Sequence, residues 1–434
     1  MERLIMQQLL RWKNSENRKP LILDGARQVG KTWVLREFGK RHFSACAYLN
    51  CDDNARLRDA FSGGFSKERI VRDLSLVSGT RLGPETLLVL DEIQEIPEAL
   101  SSLKYFREEL PELPVAAAGS LLGLSVHAGT GFPVGKVDVL KMHPMTFSEF
   151  VLALKGDEGR NALMQGPLES LATLHSEFKE LLRQYYFAGG MPEAVKAFAD
   201  GKHPDEVRSV QNAILYAYGK DFSKHLAPRE VPRVQQVWQS IPQQLARENR
   251  KFVYGAVRSG ARAKDFERAI QWLVDAGVAL KVNRTRKAVP PLKFYEDFGA
   301  FKLYALDCGL LAAMSEASPE EMLVGDSVFE EFKGAFTEQF VLQQLLPGLK
   351  SSPFYFSADD SKQELDFLLW KDGRMVPVEV KAEENLRAKS LRQFVSEHPG
   401  TRGVRLSMSP YREQDWLVNV PLYATERLVL DGIP

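Results

Sequence analysis

Eight consecutive residues, Gly25-Ala26-Arg27-Gln28-Val29-Gly30-Lys31-Thr32, match the pattern G-x-x-x-x-G-K-[ST] in full. Glycine lets such a loop turn so that its N–H groups converge on phosphate oxygens, and the N-terminus of a following helix adds the positive end of its dipole. Lys31 then reaches the β- and γ-phosphates, the Thr32 hydroxyl holds Mg2+, and Trp33 borders the pocket. Further on, Asp91-Glu92 closes the apolar run Leu87-Leu88-Val89-Leu90. A carboxylate at the end of a buried strand can complete the Mg2+ shell, and its neighbour can polarise the attacking water. Ser120 follows another apolar run and is placed to touch the γ-phosphate or that water. The expected catalytic residues are therefore Lys31, Glu92 and Ser120, with Thr32 and Asp91 as metal ligands. No Asn-Lys-x-Asp pattern is present to read guanine, so the expected nucleotide is ATP. The plainer alternatives are a surface loop that happens to fit, a carboxylate pair that favours a helix N-terminus, and a turn serine.

A second constellation is basic. Arg258, Arg262, Lys264, Arg268, Lys281, Arg284, Arg286, Lys287 and Lys293 are opposed only by Asp265, Glu267 and Asp275, a local net of +6 in a chain whose 57 basic and 57 acidic residues cancel. A helix over Ala263–Ala276, with Phe266, Ile270, Leu273 and Val274 on one stripe, precedes two short strand candidates, Ala279–Arg284 and Pro291–Tyr295. Helix and then β-wing suggests a winged helix, which sets its helix in a groove and its wing on the phosphate backbone. Arg262, Lys264, Arg268, Arg284, Arg286 and Lys287 are the expected DNA contacts. A solvated helix face with a protein contact is the alternative.

The third constellation pairs carboxylates. Leu365–Trp370 and Met375–Lys381 read as strands joined by the two-residue turn Asp372-Gly373. That turn sets Lys371 opposite Arg374, and hence Asp366 opposite Glu379 and Glu364 opposite Lys381, all on one face. Facing Cβ atoms lie ~5 Å apart, so the two carboxylates repel unless a cation lies between them. A second divalent metal, Mg2+ or Mn2+, would supply it, and Lys381 could stabilise charge on a scissile phosphate. The spacing D-x12-E-x-K is that of the PD-(D/E)XK nuclease core, where a preceding helix often adds an acid. Glu338 is the candidate. The alternative is a solvated face with a Glu364–Lys381 pair near a sheet edge, where Pro377 fits.

Strands expected at Pro20–Asp24, Ala45–Leu49, Thr86–Leu90 and Val115–Ala118 alternate with helical stretches, which predicts a parallel α/β sheet to position the loop and Asp91. The length of 434 residues suggests two or three domains. The expected order is an ATPase domain over 1–150, a helical and winged-helix domain over 151–316, and a nuclease-like α/β domain over 317–434. Three cysteines and seven scattered histidines argue for a reducing compartment and against structural zinc. The first fourteen residues lack a signal-peptide layout, and no apolar run approaches the ~20 residues of a membrane span. The expectation is a cytoplasmic protein with no membrane partner.

These residues resemble the prokaryotic AAA-type ATPases in which an N-terminal ATPase domain is joined to a C-terminal domain of uncharacterised function. The likeness is carried by the P-loop, Leu90-Asp91-Glu92-Ile93-Gln94, Ala118-Gly119-Ser120 and Met145-Thr146-Phe147-Ser148-Glu149-Phe150. It continues through Gly189-Gly190-Met191-Pro192-Glu193, the run Lys302–Leu310 and Val378-Glu379-Val380-Lys381, in order along nearly the whole chain. The resemblance implies an AAA+-like core, a winged helix and a nuclease-like end. Two departures are Lys136, where the family often carries an arginine, and Tyr304-Ala305-Leu306-Asp307, where it more often has Tyr-Phe-x-Asp. The expected function is an ATPase that couples nucleotide state to DNA binding and, in the stronger form, to DNA cleavage. The other reading is a nucleotide-controlled switch or scaffold whose C-terminal part docks protein or a second copy. A processive helicase lacks further motifs.

Overall fold

A computed structural model describes residues 2–120, 133–324, 328–358, 363–382 and 388–430, and for residues 328–332 the helix only. The chain divides into two compact units, one over Met1–His143 with Asp275–Gly277 and one over Pro144–Val274 with Val278–Pro434.

The first unit is built on five strands: β1 (Leu21–Asp24), β2 (Ala45–Asn50), β3 (Thr86–Asp91), β4 (Val115–Gly119) and β5 (Asp138–Lys141). They lie in the order β2-β3-β4-β1-β5, every neighbouring pair parallel. β3 and β4 are buried along their whole length, as the uniformly apolar runs require of strands covered on both faces. One layer of core packs Ile22, Leu49, Leu88 and Leu90 against Leu57, Leu74, Leu100, Leu103 and Phe106 from flanking helices. The order is decisive for the site. β4 inserts between β1 and β3, so the carboxyl ends of β1, β4 and β3 stand side by side.

The second unit begins with helices, among them Phe147–Met164, His175–Ala188, Pro204–His225 and Val231–Leu245. The helix Phe147–Met164 starts on a capping box made by Thr146 and Glu149. An eight-stranded sheet follows: β6 (Ala279–Thr285), β7 (Glu296–Ala305), β8 (Phe354–Ser357), β9 (Glu364–Lys371), β10 (Arg374–Val380), β11 (Gly403–Ser407), β12 (Arg412–Glu413) and β13 (Leu417–Pro421). Their order is β12-β13-β11-β10-β9-β8-β6-β7. The β9–β10 hairpin takes the register its turn demands, with Arg374 opposite Lys371 and Val378 opposite Phe367.

Two expectations for the hairpin after the basic helix need correction. The stretch Pro291–Tyr295 is not its second strand. Leu292–Tyr295 forms a single 3-10 turn, and the strand is Glu296–Ala305. Pro290 and Pro291 lack the N–H groups that a ladder needs. Nor does the hairpin stand free as a wing. β6 pairs in parallel with β8, Arg284 beside Tyr355 and Thr285 beside Phe356. The boundary expected at 316/317 thus falls inside one sheet. No helix among the described residues is long and apolar enough to cross a membrane.

Candidate functional site

β1 ends at Asp24, and the chain turns at once through Gly25 (φ 152°), Gln28 (φ 64°) and Gly30 (φ 95°) into the helix Lys31–His42. A Cβ at Gly25 would meet the Met142 carbonyl oxygen at 2.4 Å, so the turn requires glycine there. Arg3, buried, holds the loop from behind by donating to the carbonyls of Val29 and His143, each at 2.8 Å.

Lys31 is buried, and its ammonium donates to the Gly25 and Ala26 carbonyls at 2.7 and 2.8 Å. An ammonium has three donors, so a further one remains for a phosphate oxygen. Burial pulls the group down to about 8 against the attraction of Glu92, Asp24 and Asp91. The Thr32 hydroxyl donates to Asp91 Oδ2 at 2.7 Å, which brings the two expected metal ligands together. Tyr48, on β2, donates to the same oxygen at 2.8 Å, and burial together with that bond raises its phenol. Glu92 takes a left-handed backbone (φ 49°), and its Oε2 accepts from Gln94 at 2.7 Å and from Ser120 at 3.2 Å. Both bonds fall on one oxygen, which among the described residues leaves Oε1 for a water. Lys31, Thr32, Asp91, Glu92 and Ser120 are therefore one constellation. Trp33 is exposed beside it.

The donor set fits a nucleoside triphosphate with Mg2+. A glycine-lined cradle lies under a buried ammonium, and a hydroxyl and a carboxylate share one hydrogen bond that an ion would replace. Sequence reasoning missed Arg3, Tyr48 and Gln94. Gln94 was legible, as a polar residue two positions past the carboxylate pair. Tyr48 became visible only once β2 was known to lie beside β3.

In the second unit the carboxylates converge, but the cation among them belongs to the chain. Lys302, on β7 and only 1% exposed, places Nζ 2.9 Å from Glu338 Oε1, 3.6 Å from Glu364 Oε1 and 3.9 Å from Asp366 Oδ1. Arg250 reaches Glu338 Oε2 at 2.6 Å, and Tyr304 donates to Glu338 Oε1. Asp366 Oδ2 accepts from the Val380 amide at 2.8 Å. Lys302 and Arg250 overcome the cost of burial and hold Glu338 down at about 2. Burial and the neighbouring Glu338 push Asp366 up to about 7. Lys381 pairs with Glu379 at 2.8 Å rather than with Glu364, which meets Lys251 at 3.5 Å. Lys302 and Arg250 thus supply the positive charge beside Glu338 and Asp366, and Lys381 supplies it beside Glu379. Among the described residues no group of three or more His, Cys, Asp or Glu could hold a metal. The overlooked signal was a lysine inside the buried run Phe301-Lys302-Leu303-Tyr304, a charge that must find partners.

The six expected DNA contacts divide. Lys264 and Arg268 are exposed on the helix Ala263–Asp275, whose apolar side buries Phe266, Ile270 and Leu273, and Arg262 is exposed just before it. Lys287 is exposed above the ring of Tyr295. Arg284 is mostly buried and donates to the Ser357 carbonyl at 2.7 and 3.1 Å, so it ties β6 to β8. Arg286 meets Asp297 at 3.1 Å.

Residues 17–151 match the family model of an AAA domain, residues 179–321 that of a domain of unknown function (DUF8612), and residues 333–424 that of a second domain of unknown function (DUF4143). The parallel α/β sheet with its P-loop is thus an AAA domain. No curated protein matches the chain. Similar solved structures include an Aeropyrum pernix ORC1 protein in complex with DNA, at 17% identity over 72% of this chain and 90% of that one, with a TM-score of 0.26. Another is Cdc6p from Pyrobaculum aerophilum, at 16% identity over 73% and 93%, with a TM-score of 0.26. At those scores the backbones do not superpose as wholes.

Proposed function

We propose that the first unit binds ATP with Mg2+ and hydrolyses it, and that the second unit contacts DNA without cutting it. The observation that carries the first part is the pre-assembled bond between Thr32 and Asp91, set beside a buried Lys31 already aimed along the loop. The amides of the loop and of the first helical turn bind the phosphates. Lys31 offers its remaining proton to the β/γ region and holds the charge that grows there in the transition state. Thr32 and Asp91 would hold the Mg2+, which screens charge on the β- and γ-phosphates when bound. Glu92, fixed through Oε2 by Gln94 and Ser120, presents Oε1 to the attacking water and takes its proton. Lys31→Ala should lose ATP binding in calorimetry. Glu92→Gln should keep binding while turnover falls ~100-fold or more. Full turnover by the Lys31 variant would end the assignment.

Exposed Lys264 and Arg268 on one helix, with exposed Arg262 just before it, support DNA contact through phosphates. The Lys302 and Arg250 charges inside the carboxylate cluster favour a docking role over cleavage for the last third of the chain. Incubation of plasmid and oligonucleotide DNA with Mn2+, comparing the parent with Asp366→Ala, tests this. Cleavage lost in the variant would restore the nuclease reading.

A further inference from the structure

Ten large apolar side chains stand exposed among the described residues, and three of them, Val289, Phe294 and Phe298, fall between β6 and the outer part of β7. Phe294 is 83% exposed and Phe298 is 74% exposed, and they are the only phenylalanines among the ten. Burying a phenylalanine stabilises a fold, so leaving two in water gives up stability that a core position would supply. The backbone is built to keep them there. On β7, Asp297 faces Arg284 while Phe301 faces Asn283, so residues 298–300 have no partners on β6 and form a bulge. A bulge at a sheet edge re-aims a side chain, and β7 is the edge strand. Asp297 fixes the bulge by accepting from the Gly299 amide at 3.1 Å. Phe294 rides on the 3-10 turn just before β7. Phe298 lies four positions after Phe294, so at most about 14 Å of chain separates the two rings' backbones.

The surroundings are cationic. Residues 284–300 hold four basic side chains and two acidic ones, a net of +2. Lys287 and Lys293 are exposed, whereas both acids are engaged: Asp297 accepts from Arg286 and Gly299 and pairs with Arg284 at 3.6 Å, and Glu296 accepts from Asn283. The inner half of β7 is covered, since Phe252 donates to the Phe301 carbonyl and Lys251 bridges Lys302. The exposed rings lie on the outer half, where the bulge lies, and on the turn that leads into it.

Flat apolar rings set among lysines, with the carboxylates turned away, match the chemistry of unpaired nucleobases on their phosphate backbone. We propose that Phe294 and Phe298 stack on unpaired bases, while Lys287 and Lys293 hold the adjoining phosphates. The hairpin is then a reader of single-stranded segments or frayed ends rather than of intact duplex. This rests on the nucleic-acid reading of the second unit and narrows it.

Fluorescence anisotropy with the full chain and three labelled DNA probes tests it: a single strand, a blunt duplex, and that duplex with a forked end. Stacking contributes ~1–3 kcal/mol per base, so each lost ring should weaken binding to the single strand and the fork by about 5- to 150-fold. Phe294→Ala/Phe298→Ala, which lacks both rings, should show at least that loss and leave the blunt duplex unchanged. Lys287→Ala/Lys293→Ala should weaken all three probes and flatten the salt dependence. Phe294→Trp should keep affinity and have its emission quenched by the single strand. Unchanged binding of the single strand and the fork by the double Phe variant overturns stacking, while the broader DNA reading survives. Failure of the parent to bind any probe overturns both. Concentration-dependent dimerisation of the parent that the double Phe variant loses, with DNA binding intact, assigns the surface to a second copy instead. The rings are exposed, so thermal melts of these variants should match the parent.

Discussion

Lys302→Met removes the central cation of the buried carboxylate cluster and keeps the length of the side chain. Lys302, Arg250 and Lys251 balance Glu338, Glu364 and Asp366, and the nearest of the lysine's contacts is 2.9 Å. Removing one partner of a buried ion pair costs about 3–5 kcal/mol, because the opposing charge stays desolvated. Here one carboxylate is left without a counter-charge, and Asp366, already held up at about 7, should rise further and bind a proton at neutral pH. Urea unfolding followed by tryptophan fluorescence should show the transition of the second unit weakened by that amount. Adding Glu338→Gln should recover at least ~2 kcal/mol, since the buried charge goes with its partner. Millimolar Mg2+ should leave the parent's transition where it was. A loss under ~1 kcal/mol, together with stabilisation of the parent by Mg2+, would refute the reasoning and return the cluster to a metal.

At pH 8 Lys31 is close to half protonated, and a bound triphosphate should complete its charge. ATP binding should then take up about half a proton, read as a dependence of calorimetric enthalpy on buffer ionisation heat, and Lys31→Ala should not show it. Gln94→Ala should lower kcat about tenfold with ATP affinity unchanged, because it loosens Glu92 without touching the loop. Burial raises both Asp366 and Glu426 to about 7, Glu426 while it accepts from the Ser148 amide and hydroxyl. The folded state therefore binds more protons than the unfolded chain between about pH 4.5 and 7. The second unit should lose stability as pH rises through that window, and Asp366→Asn with Glu426→Gln should flatten the slope in unfolding at pH 5 and 7. Gly189→Ala should destabilise by at least ~2 kcal/mol in the same assay, since the position has φ 72° and its Cβ would meet Asp307 and the Gly309 amide.

The P-loop, the Asp91-Glu92 pair and the β9–β10 register were legible in the sequence because each is set by residues a few positions apart. A two-residue turn at Asp372-Gly373 leaves one pairing, and a glycine-rich turn between strand and helix leaves one use for Lys31. Where a charge finds its partner is a different kind of fact. Only the tertiary structure decided that β4 lies between β1 and β3, which puts Ser120 within reach of Glu92, and that β2 brings Tyr48 to Asp91. It also decided that Lys302, from β7, lies between Glu338 and Asp366, while Glu379, the expected partner of Asp366 around a metal, pairs with Lys381. A local pattern counts the carboxylates that need a cation. The supply of that cation from residues 36 and 64 positions away depends on how distant segments share one sheet, and no short-range rule of spacing carries that information.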